Sequence, residues 1–453
     1  MSVPTVSVTF IEQVRAAGVV GCGGAGFPTH VKYSRPAEWF IVNAAECEPL
    51  LRTDRHIMLR YARELVETTG TIAENLGAGK YGIALKKTYT EEIKALNIAI
   101  KELASSVSLF LLDNYYPAGD EQMIVRNVVG KSVPPGGLPL DVGAVISNVA
   151  TVLAVRDALF DLPLTHKFLT VTGDGVETTI LHVPVGTPIR DCLEQCGWND
   201  KRKERIILGG PLMGRVLPKG APTGESVVKT TSGIVTLRED ALLPTLADVD
   251  IKRMLNRART ACIQCSQCTM LCPRYLNGHP LEPHRIMRKI AHAGDIASLT
   301  DDEDIRQAQI CCECGVCELF ACPMQLRPRK VNMLIKQELA AKNIRYRRSP
   351  GDTEARKEMA LRLVPSKRIA ARSGVLPLYE REPTGFVEFS PPRLIFPLRQ
   401  HIGEAAEPIV AIGDSIHPGQ RIAACPEGKL GADIHCGMAG VVVEANERIV
   451  IDT

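Results

Sequence analysis

The sequence predicts an α/β chain of several domains, and three observations carry that prediction. Helical and strand patterns alternate through the first 150 residues, short β-runs with glycine turns close the chain, and nine of its fifteen cysteines lie between Cys262 and Cys322. At 453 residues the chain exceeds what one hydrophobic core serves, so two to four domains are expected.

The first domain opens with a short helix around Phe10 to Ala17 and a glycine loop, "VVGCGGAGFPTHVKY". A strand "WFIVNAA", a long helical pattern from Asp54 to Leu76 and a strand "YGIALKKT" follow, which suggests a parallel sheet with loops at its carboxyl edge. Gly77 to Gly82 matches a G-x-G-x-x-G dinucleotide pattern, but it follows a helix and precedes a strand. A helix C-cap and turn is the expected reading there.

From about His166 to Pro218, strand-like runs flank one short helix and predict a small β-rich domain. Cys192 and Cys196, at i and i+4, have no neighbouring ligand set and are expected in its core. Residues Asp248 to about Lys342 read as helical between the cysteine runs, and a Pro- and Arg-rich stretch leads to about Arg399. The tail has short strands at regular spacing, as in a compact barrel or sandwich.

A net charge of +3 argues against a general nucleic-acid binder, and the locally basic region from Arg327 to Arg372 reads as a solvated helical face and linker. No apolar segment is long enough to span a membrane, and the N-terminus lacks a signal-peptide pattern. A soluble, unexported protein with metal-bound thiolates in a reducing cytosol is expected.

"CIQCSQCTMLCP" places Cys262, Cys265, Cys268 and Cys272 at C-x2-C-x2-C-x3-C-P spacing. "CCECGVCELFACP" offers Cys311, Cys314, Cys317 and Cys322, with Cys312 left over. Three closely spaced thiolates grip one face of a cubane while the fourth serves another, so the wiring predicted is crossed. Cys262, Cys265, Cys268 and Cys322 would hold one [4Fe–4S] cluster; Cys272, Cys311, Cys314 and Cys317 would hold the second. Spacing favours Cys311 over Cys312 without settling the choice. Structural zinc is the competing reading of the C-x2-C pairs, but two such runs, each closed by Cys-Pro, point to clusters. Clusters carry single electrons, so a nicotinamide donor would require a flavin to divide its hydride.

Glycines Gly21, Gly23, Gly24 and Gly26 let backbone approach a phosphate or flavin ring, and Lys32 follows them. Together with "VNAAECEP", "YYPAGDE" and "VPPGGLPLDVGAVISNVAT", this loop resembles the flavin-binding subunits of respiratory NADH dehydrogenase and the Rnf electron-transport complex. The resemblance implies that Gly21, Gly23, Gly24, Lys32, Asn43, Tyr116, Gly119, Asp120, Ser147, Asn148 and Thr151 line FMN, with Lys32 on its phosphate. Phe27, Glu46 and Glu121 would face the nicotinamide dinucleotide. Cys22 and Ala45 stand where the respiratory subunit has arginine and aspartate, and both departures follow the Rnf branch. Cys47 has no spacing partner and reads as a packed, reduced thiol.

The resemblance extends along the chain. It implies a Rossmann-like FMN-binding domain over 1–160, a β-grasp ligand-binding (SLBB) domain over 161–245 and a helical ferredoxin-like domain with two [4Fe–4S] clusters over 246–345. A linker over 346–398 and a lipoyl-like barrel-sandwich over 399–453 complete it, with no lipoyl attachment at His435. The barrel comes last, whereas in the Rnf subunit it comes first. That order resembles a cobalamin-reducing branch found in propanediol-utilisation microcompartments. It implies electron flow from NADH through FMN and two clusters to cobalamin, with an adenosyltransferase and a shell protein as partners and a cytoplasmic location within or at the microcompartment. An electron conduit recycling NAD⁺ across the shell, and a peripheral subunit of an Rnf-like membrane complex, are the alternatives.

Overall fold

The structure is a computed structural model that describes residues 6–199, 203–220, 222, 224–293, 295–347 and 353–453. Parts of the predicted 1–160 and 161–245 domains, and part of the basic Arg327 to Arg372 stretch, lie outside the described residues.

The first domain is a four-stranded parallel sheet in the order Ser108–Leu112, Lys80–Lys86, Trp39–Asn43, Ala144–Asn148. Strand Trp39–Asn43 runs "FIVN" through a core of Phe40, Val42, Ile83 and Leu85, all fully buried, as expected of a strand covered on both faces. Two successive strands lie on one side of Trp39–Asn43, and Ala144–Asn148 lies on the other. That is a topological switch point, where helices diverge and leave a crevice at the carboxyl ends of the strands. Register places Asn43 directly beside Asn148 at that edge.

The long helical pattern expected over Asp54 to Leu76 is instead two helices, Thr53–Arg60 and Ala62–Asn75. Tyr61 breaks them with φ −123° and ψ 33°, outside the helical region. Its ring packs edge-on against Phe168 of the next domain, a tertiary contact that periodicity does not register. At Gly77 the chain turns with φ +65° before strand Lys80–Lys86, so the G-x-G-x-x-G match is a helix stop.

The second unit is a six-stranded mixed sheet, ordered Gly385–Glu388, Thr179–Pro184, His166–Gly173, Gly233–Arg238, Glu204–Leu208, Arg215–Val216. Helix Ile189–Glu194 covers it, and Cys192 and Cys196 are buried there among Leu169, Leu181 and Ile234. The edge strand Gly385–Glu388 comes from the stretch expected as a linker. Within the same stretch Val364–Pro365 pairs with Tyr115–Tyr116, and two short helices follow at Ser366–Arg372 and Leu376–Tyr379. Its Pro and Arg content marks packed connections rather than a bare spacer.

Helices Ile251–Ala261, Pro283–His292 and Pro328–Ala341 pack around Met254, Ile286, Ile290, Val331 and Ile335. Each such buried side chain contributes about 1.5–3 kcal/mol, which holds the cysteine loops between the helices. The C-terminal barrel has two small sheets around Phe396, Ile422, Cys436 and Ile451. It begins earlier than 399, because strand Arg393–Pro397 pairs with the terminal strand Arg448–Asp452. Among the described residues, no helix is long and apolar enough to cross a membrane.

Candidate functional site

A pocket of about 520 Å³ opens at the switch point. Of the sequence-predicted residues, Gly23, Gly24, Asn43, Glu46, Tyr116, Gly119, Asp120 and Asn148 line it. The two asparagines shape its loops. Asn148 caps helix Val149–Leu159 by accepting from Ala150 N at 2.9 Å, and donates to Asp54 Oδ2 at 2.7 Å. Asn43 donates to Gly119 O at 2.9 Å and accepts from Ala45 N. Gly23 has to be glycine, since a Cβ there would sit 2.7 Å from the Asn148 side chain.

The other predicted residues stand beside or behind the pocket. Gly21 N donates to Phe27 O and closes the glycine loop, while the Phe27 side chain is partly exposed. Thr151 Oγ1 accepts from Cys22 N at 2.9 Å, and Ser147 is buried against the Tyr33 hydroxyl at 2.8 Å. Lys32 and Glu121 pair with each other at 2.5 Å, so neither charge points into the pocket. The ammonium that lines it belongs to Lys167, which is buried and donates to Cys22 O. Sequence reading passed over Lys167. Its signal was a lysine in phase with buried Leu169 and Val171 on strand His166–Gly173.

Cys47 is half-buried, and desolvation pushes its thiol up to about 11. Its sulfur accepts from Gly119 N at 2.7 Å and so helps fix the loop "YYPAGDE". Glu48 accepts from Leu212 N and Met213 N at 2.8 Å each, stitching the first sheet to the second; burial nonetheless raises it to about 7. Glu46 and Asp54 are both raised, first of all by burial; the charge of Asp54 raises Glu46 further, while the Asp54 backbone N–H donates to the Glu46 carboxylate and opposes this. Oε2 of Glu46 is sealed from solvent and has no hydrogen-bond partner. Such an orphan costs about 1–3 kcal/mol, a cost that a bound group could offset.

The cysteine loops form two neighbouring sulfur sets. Cys262, Cys265, Cys268 and Cys322 line one small hollow, as the crossed arrangement requires. Cys272 lies within electrostatic reach of both Cys312 and Cys311, Cys312 shares a side-chain hydrogen bond with Cys314, and Cys317 lies within reach of Cys311 and Cys272. Gln264 and Ser266 take left-handed φ of +54° and +62°, and Glu313 takes +59°, which wraps each loop around its centre. Cys311 accepts from Glu313 N and Cys322 from Leu326 N, both at 3.3 Å. Among the described residues, no three His, Cys, Asp or Glu side chains close on a point as ligands of a single ion do. Cubane ligands stand around the corners of a cluster instead.

The flavin-type pocket and the second sulfur set share a wall. Cys312 and Cys314 both line the pocket, the Tyr116 hydroxyl donates to Cys314 O at 2.7 Å, and Arg274, two residues past Cys272, pairs with Asp120. The glycine cradle, the orphaned Glu46 oxygen, the Lys167 cation and the helix start at Asn148 suit an anionic, ring-bearing cofactor. The two thiol sets suit iron–sulfur centres.

Family models match three stretches of the chain. Residues 14–157 match the Nuo51 FMN-binding domain, 261–327 a 4Fe–4S dicluster domain and 380–453 the RnfC barrel sandwich hybrid domain. Over 441 residues the chain is 39% identical to cobalamin reductase PduS of Salmonella typhimurium, covering 97% of this chain and 95% of that one. The chain belongs to the PduS family. As a PduS-family member it is an oxidoreductase that uses FMN and [4Fe–4S] centres. It is also 34% identical over 272 residues to one component of the Na⁺-translocating ferredoxin:NAD⁺ oxidoreductase complex of Acetobacterium woodii, 58% of each chain. Among solved structures, an NAD⁺-reducing [NiFe]-hydrogenase in its H₂-reduced state aligns with TM-score 0.47 and 20% identity, over 76% of this chain and 63% of that one.

Proposed function

We propose that the protein passes electrons from NADH through FMN and two [4Fe–4S] clusters to cobalamin, reducing cob(III)alamin towards cob(I)alamin. The observation that carries this reading is the wall shared by the pocket and the second sulfur set, through Tyr116, Asp120 and Cys314. Electron transfer needs that contiguity, and bound FMN supplies the division of a hydride into single electrons. The acceptor is assigned from the PduS relatives, named cobalamin reductases, which match nearly end to end.

In this reading Gly23, Gly24, Asn43, Tyr116, Gly119, Asp120 and Asn148 border the flavin. Gly21, Ser147 and Thr151 support it from behind, and Lys167 joins Lys32 as a candidate phosphate cation. Phe27, Glu46 and Glu121 are the candidate contacts of the nicotinamide dinucleotide, and of these Glu46 lines the pocket. Cys262, Cys265, Cys268 and Cys322 hold one cluster; Cys272, Cys311, Cys314 and Cys317 hold the other, with Cys312 as a pocket residue. The six-stranded unit acts as the SLBB-type β-grasp domain. An adenosyltransferase and a microcompartment shell protein are the partners, with the protein within or at the microcompartment.

The similarity to a component of a ferredoxin:NAD⁺ oxidoreductase complex favours a second reading, a conduit between NADH and another iron–sulfur protein. Anaerobically reconstituted protein with NADH and cob(III)alamin separates the two. Cobalamin reduction supports the reductase. Turnover of a dye with cob(III)alamin left intact supports the conduit.

A further inference from the structure

On the far side of Glu46 from the flavin pocket lies a second hollow of about 230 Å³, open to solvent. Arg52, Arg55, Lys86 and Tyr89 are among its lining residues. Among the described residues, only Glu46, Glu48 and Leu51 line both spaces, so two carboxyls and a leucine form the partition. Glu48 is held by two backbone N–H groups. Glu46 is the member with an unengaged oxygen.

We propose that Glu46 relays protons across this partition, between the flavin pocket and the solvent-open hollow. The inference rests on the reading that the pocket holds FMN. NADH delivers a hydride, and one further proton completes two-electron reduction of the flavin. The two electrons then leave singly through the clusters and two protons leave with them, so each NADH oxidised releases one proton net. The partition of Glu46, Glu48 and Leu51 offers these protons a route besides the pocket's own mouth. A carboxylic acid provides it, giving a proton from one oxygen and taking one on the other, with no net change in itself.

The surroundings favour the acid form that a relay needs at rest. Burial disfavours the carboxylate, and Asp54 adds a like charge from the pocket side. Arg52, the backbone N–H of Asp54, which donates to the carboxylate, and Lys86 oppose this only in part. Lys86 and Tyr89 donate to the Glu46 carbonyl, which anchors the residue's backbone at the partition. Lys167 faces Asp54 rather than Glu46.

The test is stopped-flow reduction of the flavin by NADH in the reconstituted full chain, alongside infrared difference spectra of flavin reduction. Wild type should show the carbonyl band of a protonated carboxylic acid that changes on reduction. Glu46→Gln should lose that band and slow flavin reduction roughly 100-fold, the low end for general acid–base catalysis, with FMN content retained. Glu46→Asp should recover part of the rate. The relay is overturned if Glu46→Gln keeps the band or reduces within about twofold of wild type. Loss of FMN from Glu46→Gln also overturns it, in favour of a binding role. Wild-type protein that retains no FMN would instead remove the reading beneath it.

Discussion

Arg274 and Asp120 form a two-pronged ion pair, at 2.6 and 2.9 Å, that joins the first cysteine loop to the flavin-pocket loop. Both side chains are mostly buried, at 9% and 15% exposure, and Asp120 also caps helix Glu121–Ile124 by accepting from Gln122 N and Met123 N. Its carboxylate is fully engaged within the protein. Its part is therefore to fix the distance between the pocket loop and the first cysteine loop. Removing one partner of such a pair leaves an uncompensated charge and costs about 3–5 kcal/mol. Asp120→Asn and Arg274→Met should each lower the unfolding midpoint accordingly. Their combination should cost less than the sum, as a double-mutant cycle in denaturant will read.

The crossed wiring makes a spectroscopic prediction. With two clusters the chain holds about eight irons. Cys322→Ala and Cys272→Ala should each lose a different electron paramagnetic resonance signal and roughly half the iron. With Cys311 as the ligand, as spacing favours, Cys312→Ala should keep the iron and perturb the flavin spectrum, since Cys312 lines the pocket beside Cys314. Loss of a whole cluster from Cys312→Ala would assign it as the ligand in place of Cys311.

Flavin retention should respond to the pocket's own cation. Lys167→Met is expected to lower FMN occupancy more than Lys32→Ala, because Lys32 is paired with Glu121 while Lys167 lines the cavity. Gly23→Ala should abolish retention by driving a Cβ into Asn148. Released flavin, measured by fluorescence after denaturation, checks all three.

The buried carboxyls set a direction for stability against pH. Glu46 and Glu48 both have folded values raised above the ordinary 4.5, Glu48 to about 7. The folded state therefore binds more protons than the unfolded state above pH 4.5, so stability falls as pH rises through that window. Each carboxyl contributes a slope of at most about 1.4 kcal/mol per pH unit. Between pH 7 and pH 8 denaturant midpoints should decline less steeply in Glu46→Gln than in wild type; below that window His166, His279 and His435, held below their ordinary 6.5 by desolvation, act in the opposite sense.

The cluster cysteines, the glycine loop and the terminal barrel were legible because their chemistry is local: ligand spacing, backbone freedom and turn periodicity all lie within a few residues. The switch point and the pairing of Asn43 with Asn148 came only with the strand order, while the parallel sheet was legible as alternating elements. Lys167 was not, because its place in the pocket depends on a second sheet folding over the first. The break at Tyr61 and the pairing of Lys32 with Glu121 are tertiary in the same sense. The stretch before the barrel read as a linker because its strands pair only with distant partners, Tyr115–Tyr116 and Thr179–Pro184.

The central claim is a continuous path from nicotinamide to clusters to cobalamin, and an anaerobic titration tests it most directly. NADH is added to the reconstituted protein while flavin and cluster absorbance are followed, and cob(III)alamin is then introduced. The account predicts bleaching of both flavin and clusters by NADH, followed by their reoxidation as cob(I)alamin appears. Flavin bleaching with clusters left oxidised, or reduced clusters that cob(III)alamin does not reoxidise, would contradict it.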